Sequence, residues 1–269
     1  MFELINKVKE INPLVLHYTN EVTINDCANI TLALGASPLM SYSNEEVEEV
    51  VSIASSVVIN IGTMNSNRLD LFLQAGKAAN KFNKPVILDP VGVFATKTRT
   101  DFTNKLLNKI KFDVVKGNVA EIKFIGGLDV RGQGVDSFDD GEDISEVIKK
   151  IAKKIGCIVV ATGKIDFISD GNTVIKIFNG TSKLKSVTGT GCMTGSLIGS
   201  YLGAYNNLEG RERDNFKKVE AVAMGVLTMA VSGELADKDN ISIGTFKEEL
   251  MNNVYEMNID KLKEYGRIE

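Results

Sequence analysis

Gly189-Thr190-Gly191-Cys192 is a glycine-rich turn that opens directly onto an apolar run of helical period, residues 193–205. The first turn of a helix presents unpaired backbone N–H groups and the positive end of the helix dipole, and glycine lets an anion approach them closely. Such a turn holds phosphate or a developing oxyanion, and it serves equally well as a plain strand-to-helix connection. At the start of the helix, Cys192 sits where the dipole is expected to lower a thiol pKa. A free cysteine is also a common small core residue.

Three further motifs follow apolar runs. Asp89-Pro90-Val91-Gly92 puts a carboxylate at the end of one, with proline fixing the turn behind it, and an ordinary turn aspartate would look the same. In Lys116-Gly117-Asn118-Val119-Ala120-Glu121, Asn118 and Glu121 have the spacing of a helix capping box. They could instead organise a hydrated Mg²⁺ and its phosphates, with Lys116 reaching a phosphate as a point charge. Ala161-Thr162-Gly163 offers a hydroxyl and backbone groups to a nucleotide phosphate, or merely closes a hairpin. His17 has no serine or cysteine partner placed near it by local pattern, which argues against a catalytic triad. The P-loop and dinucleotide glycine fingerprints are both missing.

The elements that must position these residues alternate between Val/Ile-rich runs and longer stretches of helical period, the pattern of a mainly parallel sheet with helices on both faces. Strands are predicted at 14–16, 38–41, 56–61, 85–88 and 113–116. Helices are predicted at 23–34, 44–54, 66–81, 101–110 and 120–125, and 1–10 reads as a short surface helix. The acidic start of the helix at 44–54 reads as a capped, solvated helix end. In open α/β sheets, ligands bind at the carboxyl ends of the strands. After a helix at 144–155 come short runs at 157–161, 165–169 and 173–178, separated by Thr162-Gly163-Lys164 and Asp170-Gly171-Asn172, so the sheet should finish with antiparallel strands at one side. Helices are then predicted at 192–205, 213–236, 245–253 and 259–265. The stretch 126–141, with five glycines and four aspartates, reads as a surface loop that could act as a lid. With no repeat and no linker, the expectation is a single domain over 1–269.

A net charge of −4 with scattered lysines gives no basic footprint for nucleic acid. Three cysteines without metal-ligand spacing fit free thiols in a reducing cytosol, and a lone histidine excludes a histidine-rich metal site. The charge-free stretch 186–208 is long enough to cross a bilayer. Its opening turn chemistry and the recurrence of Gly195, Gly199 and Gly203 fit better with one helix face packed tightly against a core, so no membrane partner is expected.

The ordered set Val22-Thr23-Ile24-Asn25, Ala33-Leu34-Gly35-Ala36-Ser37-Pro38-Leu39-Met40, Ile59-Asn60-Ile61-Gly62-Thr63, Asp89-Pro90-Val91-Gly92, Gly117-Asn118-x-x-Glu121, Thr162-Gly163 and Gly189-Thr190-Gly191-Cys192 resembles the hydroxyethylthiazole kinases of the ribokinase-like superfamily. The match runs in order from about residue 12 to residue 234. The resemblance implies a ribokinase-like α/β fold, transfer of the ATP γ-phosphoryl group to the primary hydroxyl of hydroxyethylthiazole on the way to thiamine, and a cytoplasmic homotrimer. It implies substrate contacts at Met40, Gly189 and Asn25, ATP contacts at Lys116, Thr162 and Asn118, and Mg²⁺ at Asp89 and Glu121. It also implies that the segment 25–40 meets a neighbouring chain.

The backbone of Gly189, Thr190, Gly191 and Cys192 would then be the anion hole. Related sugar kinases carry an aspartate base where this chain has Cys192, so the thiol is expected to orient the hydroxyl and take its proton late. The family usually places arginine where Lys116 stands, which keeps the charge and loses the bidentate fork. Its usual N-terminal histidine is replaced by Leu16, and no role passes to His17. A kinase for another small alcohol, such as a pyridoxal-like or hydroxymethylpyrimidine substrate, and an idle nucleotide-binding regulator are the competing readings.

Overall fold

The computed structural model of the protein describes residues 1–128 and 143–269, so most of the glycine- and aspartate-rich stretch 126–141 lies outside the described residues. The strands are β1 Leu14–Tyr18, β2 Ser37–Met40, β3 Ser56–Asn60, β4 Val86–Asp89, β5 Val114–Asn118, β6 Ile158–Thr162, β7 Asp166–Ser169 and β8 Val174–Ile177. They form one eight-stranded sheet in the order β2-β1-β3-β4-β5-β6-β7-β8. Pairing is parallel from β2 through β6 and antiparallel across β6, β7 and β8. The sheet is therefore mainly parallel with antiparallel strands at one side, as the sequence predicts.

The helices are α1 Leu4–Ile11, α2 Ile24–Leu34, α3 Val47–Ile53, α4 Ser66–Lys81, α5 Lys97–Lys109, α6 Val119–Ile125, α7 Ser145–Ile155, α8 Thr190–Asn207, α9 Gly210–Asp214, α10 Lys218–Ala236, α11 Ile243–Tyr255 and α12 Ile259–Tyr265. Because successive strand side chains point to opposite faces, each central strand feeds two cores. Val58 packs on one face with α1, α2, α8, α10, α11 and α12; Val57 and Ile59 pack on the other with α3 to α7. Each fully buried aliphatic side chain contributes roughly 1.5–3 kcal/mol relative to exposure.

Several helix boundaries depart from the sequence reading for local reasons. Residues 44–46 do not join α3, because Ser41 Oγ and Ser43 Oγ donate to Glu46 and Glu45 at 2.6 Å and hold that stretch in turns. α5 starts earlier than residue 101, at a cap where Thr96 Oγ1 accepts from Arg99 N–H at 3.2 Å. The helix expected over 213–236 is two helices, α10 beginning afresh where Glu220 accepts from Lys217 N–H at 3.1 Å. α1 is more than a surface helix, since Leu4, Ile5 and Val8 are fully buried.

α8 occupies the centre of one face. A Cβ on Gly199 would come within 2.9 Å of Val15 and Val58, and one on Gly203 within 3.1 Å of Pro13 and Ser55, so these glycines let α8 lie against the sheet. Gly195 has no such need, its nearest neighbour being Val58 at 3.8 Å. Among the described residues the one helix long and apolar enough to cross a membrane is α10, and most of it is buried inside the fold.

Candidate functional site

The strand register lines up the polar residues that close the apolar runs. Asn60 at the end of β3 is level with Asp89 at the end of β4, and Asn118 at the end of β5 is level with Thr162 at the end of β6. All four stand at the carboxyl edge of the sheet, where parallel α/β folds bind ligands. The α8 N-terminus approaches the same edge. Gly189 precedes the helix with φ +96°, a left-handed conformation that glycine adopts without strain, and a Cβ there would meet Thr23 at 2.7 Å. The helix itself begins at Thr190, so the N–H groups of Thr190, Gly191 and Cys192 belong to its first turn.

Cys192 is held by two amides that the sequence reading assigned no role. Asn20 Nδ2 and Asn60 Nδ2 each donate to its sulfur at 3.3 Å. The remaining N–H of Asn20 goes to Asn60 Oδ1 at 3.0 Å, and that of Asn60 goes to Asp89 Oδ2 at 3.0 Å. Asn20 Oδ1 accepts from the backbone N–H and the hydroxyl of Thr23, and Asn60 Oδ1 also accepts from Gly62 N–H at 2.8 Å. Both amides are thus saturated and locked in one orientation. Asp89 stands out in the sequence as the polar residue closing an apolar run; Asn60 escapes that rule because the run predicted at 56–61 extends one residue past it, whereas β3 ends at Asn60.

Lys116 is buried, and its ammonium donates to Gly191 O at 3.0 Å and lies 3.4 Å from Asp89 Oδ2. Glu121 makes the capping box: Asn118 Oδ1 accepts from Glu121 N–H, and Glu121 Oε2 accepts from Asn118 N–H, both at 2.8 Å. Its other oxygen accepts from Gly92 N–H at 2.7 Å, tying α6 to the turn after β4. The structural reading of Glu121 is therefore present in full.

One ammonium faces three acidic groups. Burial pushes the Asp89 carboxyl above its usual range, more than Lys116 and Asn60 pull it down. Burial, then the charge of Asp89, raises Glu121 as well. Burial works against the charge of Lys116, but Asp89, Cys192 and Glu121 together hold its pKa above the ordinary lysine value. The Cys192 thiol is raised, not lowered as the helix position suggested: burial and Asp89 outweigh Lys116 and the neighbouring donors. A dipole argument counts the helix end and omits the cost of removing a thiolate from water.

Beside this cluster lies a cavity of about 660 Å³. Asn118, Thr162, Thr190, Gly191 and Thr194 are among its polar lining, Leu184, Val226, Met229 and Ala230 among its apolar lining, and Asn179 and Gly180 line it as well. Lys116 is not among the lining residues, nor are Met40 and Asn25. Met40 is half-buried in β2 and level with His17, and Asn25 is exposed on α2, accepting from Asn29 at 2.9 Å. His17 is buried, with Nδ1 3.0 Å from Val15 O and Nε2 3.0 Å from Ser196 Oγ. The carbonyl requires Nδ1 to carry the proton, so the serine donates to Nε2 and the neutral ring ties β1 to α8.

The mainly parallel sheet with its antiparallel margin, and a helix N-terminus meeting the strand ends beside a cavity, define a ribokinase-like α/β kinase fold. The hydroxyethylthiazole kinase family model matches residues 5–260, and the chain belongs to that family. It is 65% identical over 269 residues to a hydroxyethylthiazole kinase of Clostridioides difficile (strain 630), covering 100% of this chain and 99% of that protein. The solved hydroxyethylthiazole kinase protein from Pyrococcus horikoshii OT3 superposes with a TM-score of 0.86 at 33% identity, covering 100% of this chain and 97% of that one. A pyridoxal kinase from Staphylococcus aureus, in complex with AMP-PCP and pyridoxal, shares the fold at 16% identity, with a TM-score of 0.61 and coverage of 96% and 98%.

Proposed function

We propose that this chain, folded as one domain, transfers the γ-phosphoryl group of ATP to the primary hydroxyl of hydroxyethylthiazole, yielding a thiazole phosphate for thiamine. The observation that carries this reading is the meeting of Asp89, Asn118 and Thr162 with the Gly189–Cys192 turn, in a member of this family. Phosphoryl transfer through a loose transition state asks the protein mainly for positioning and charge stabilisation. The N–H groups of Thr190, Gly191 and Cys192 would face the transferring phosphoryl oxygens. Thr162 and Asn118 would hold the phosphates beside Thr190 and Gly191, with the nucleoside against the apolar lining residues Leu184, Val226 and Met229.

Lys116 acts beneath this cradle. By holding the Gly191 carbonyl and Asp89 together, it fixes the turn and sets its charge behind it. Both lone-pair regions of the Cys192 sulfur receive amide N–H donors, which leaves the S–H to hydrogen-bond the alcohol oxygen. The thiol thereby orients the hydroxyl, but with its pKa raised by burial it is not the proton acceptor the sequence suggested, and the hydroxyl proton leaves late to a phosphoryl oxygen. Gly189 and Met40, with Asn25 on the adjoining surface, would bound the thiazole.

Two carboxylates, Asp89 and Glu121, face the single ammonium of Lys116, and Asp89 Oδ1 accepts no hydrogen bond among the described residues. This donor set fits a hydrated Mg²⁺ held through Asp89 and Glu121, which need few direct ligands because the ion keeps several waters. Bound there, Mg²⁺ would neutralise charge on the β- and γ-phosphates. Val22 and Leu32 expose large apolar side chains on the α2 side of the sheet, at 65% and 56% exposure, which supports a homotrimer joined through 25–40. The three free thiols suit a cytoplasmic enzyme.

The test is ADP release by purified protein with ATP, Mg²⁺ and either hydroxyethylthiazole, pyridoxal or hydroxymethylpyrimidine. Turnover with the thiazole at least about a hundredfold above the others supports the reading, on the scale that an unmatched polar pocket imposes. Preference for another alcohol, or none, overturns it.

A further inference from the structure

Asn179 and Gly180 both line the cavity, and around Gly180 there is open space: it has φ +130°, and a Cβ there would meet nothing within 4 Å. This wall is held from outside. Glu234, one helical turn beyond Ala230 on α10, accepts from Gly180 N–H at 2.9 Å through Oε1 and from Asn179 Nδ2 at 2.7 Å through Oε2. Because α10 also supplies Val226, Met229 and Ala230 to the lining, the Glu234 carboxylate joins two sides of the cavity.

The carboxylate is in turn held by segment 265–269, which runs antiparallel along the outer edge of β8. Phe178 N–H donates to Arg267 O at 2.9 Å, and Lys176 and Glu269 exchange backbone hydrogen bonds at 2.8 and 3.0 Å. The Arg267 guanidinium pairs with both oxygens of Glu234 and donates to Phe178 O at 2.9 Å. Arg267 N–H donates to Asn179 Oδ1 at 2.6 Å, and Asn179 Nδ2 also donates to Tyr265 O at 2.9 Å. Every polar atom of the buried Asn179 side chain is thus spent on Glu234 or this segment.

We propose that Glu234 and Arg267 are positioning residues for the nucleotide, and that segment 265–269 is a strap that sets the placing of the Asn179–Gly180 wall against α10. The proposal rests on the reading that this cavity receives ATP. It requires no contact between either residue and the nucleotide. The Arg267 side chain is 57% exposed, and an ion pair with one partner this open to solvent adds little to global stability. Its effect should therefore fall on binding.

The experiment combines kinetics with hydrogen exchange. Arg267→Ala and Glu234→Gln should each raise the KM for ATP about tenfold, the scale of losing a charge-assisted network. The KM for the alcohol, kcat and Tm should stay close to their original values, and Arg267→Lys should recover part of the loss. AMP-PCP binding, measured by calorimetry, should weaken by the same factor independently of turnover. In the unmodified protein, AMP-PCP should slow exchange in peptides covering 179–182 and 226–230.

If AMP-PCP binds without protecting those peptides, the cavity reading fails and the strap proposal with it. If it protects them while the variants keep the original ATP KM and AMP-PCP affinity, the strap proposal alone is overturned. A parallel loss in both KM values, kcat and Tm would likewise overturn it, marking the pair as merely structural.

Discussion

The side-chain amide of Asn60 donates to Asp89 Oδ2 at 3.0 Å, across the carboxyl ends of two neighbouring strands that the register sets level. The same nitrogen donates to Cys192 Sγ at 3.3 Å, so one residue fixes both the carboxylate and the thiol. Asn60→Leu keeps the volume and removes both donors. The expected result is a fall in kcat of about tenfold to a hundredfold, the range for lost hydrogen bonds to a charged partner. Steady-state kinetics check it, and an unchanged kcat would remove Asn60 from the machinery.

The roles of thiol and backbone turn separate in single-turnover experiments. Cys192→Ala should slow phosphoryl transfer by less than about tenfold, since it removes an orienting contact, whereas Gly191→Val, which crowds the anion hole, should cost about a hundredfold or more. With its pKa raised by burial, the thiol is neutral through pH 7–8. The rate should therefore not rise tenfold per pH unit there, as a required thiolate would demand. A larger loss for Cys192→Ala than for Gly191→Val would make the sulfur an essential base.

His17 should make the fold sensitive to acid. Burial outweighs its backbone hydrogen bonds and lowers its pKa from 6.5 to about 4, so the unfolded chain binds a proton that the native protein refuses between those values. The associated stability is fully present above pH 6.5 and is lost as pH falls toward 4, amounting to roughly 3 kcal/mol. Urea unfolding at pH 7, 5.5 and 4 should show a shallower pH dependence for His17→Gln than for the unmodified protein. Equal slopes would contradict this assignment.

Two glycines on one helix should respond oppositely. In Gly199→Ala the new methyl meets Val15 and Val58 at 2.9 Å, an overpacking worth about 1–3 kcal/mol of lost stability. In Gly195→Ala the nearest atom is 3.8 Å away, and the better helix former should be neutral or stabilising by up to ~1 kcal/mol. Denaturant midpoints for the two variants decide the matter.

Much of this architecture is legible in the sequence because each apolar run ends in a polar or turn residue, and the order of those endings is the order of strands along the sheet from β3 to β6. Asp89, Asn118 and Thr162 stand at that edge for this reason. Asn20 is harder to find: it follows β1 in an irregular stretch, and only folding brings it to Cys192, 172 residues away. The partners of Lys116 are equally hidden, since a strand pattern gives the face of a side chain but not that its end meets Gly191 O and Asp89. The late start of α3 comes from local side-chain hydrogen bonds that compete with the helix, and α10 begins afresh at a capping bond of its own. The pair Glu234 and Arg267 leaves no motif at all.

The two margins of the sheet differ in a way that bears on how the protein behaves when crowded. Ser37 and Ser41 turn their N–H groups inward, to Pro13 O at 3.0 Å and His17 O at 3.3 Å, so alternation points those of residues 38 and 40 outward. Residue 38 is proline and has no N–H to offer. At the far margin the backbone of β8 is already engaged by Arg267 and Glu269. Neither margin presents a continuous row of free donors, so the sheet cannot readily be lengthened by a stray strand from another chain, and its growth into ordered aggregates is checked at both ends.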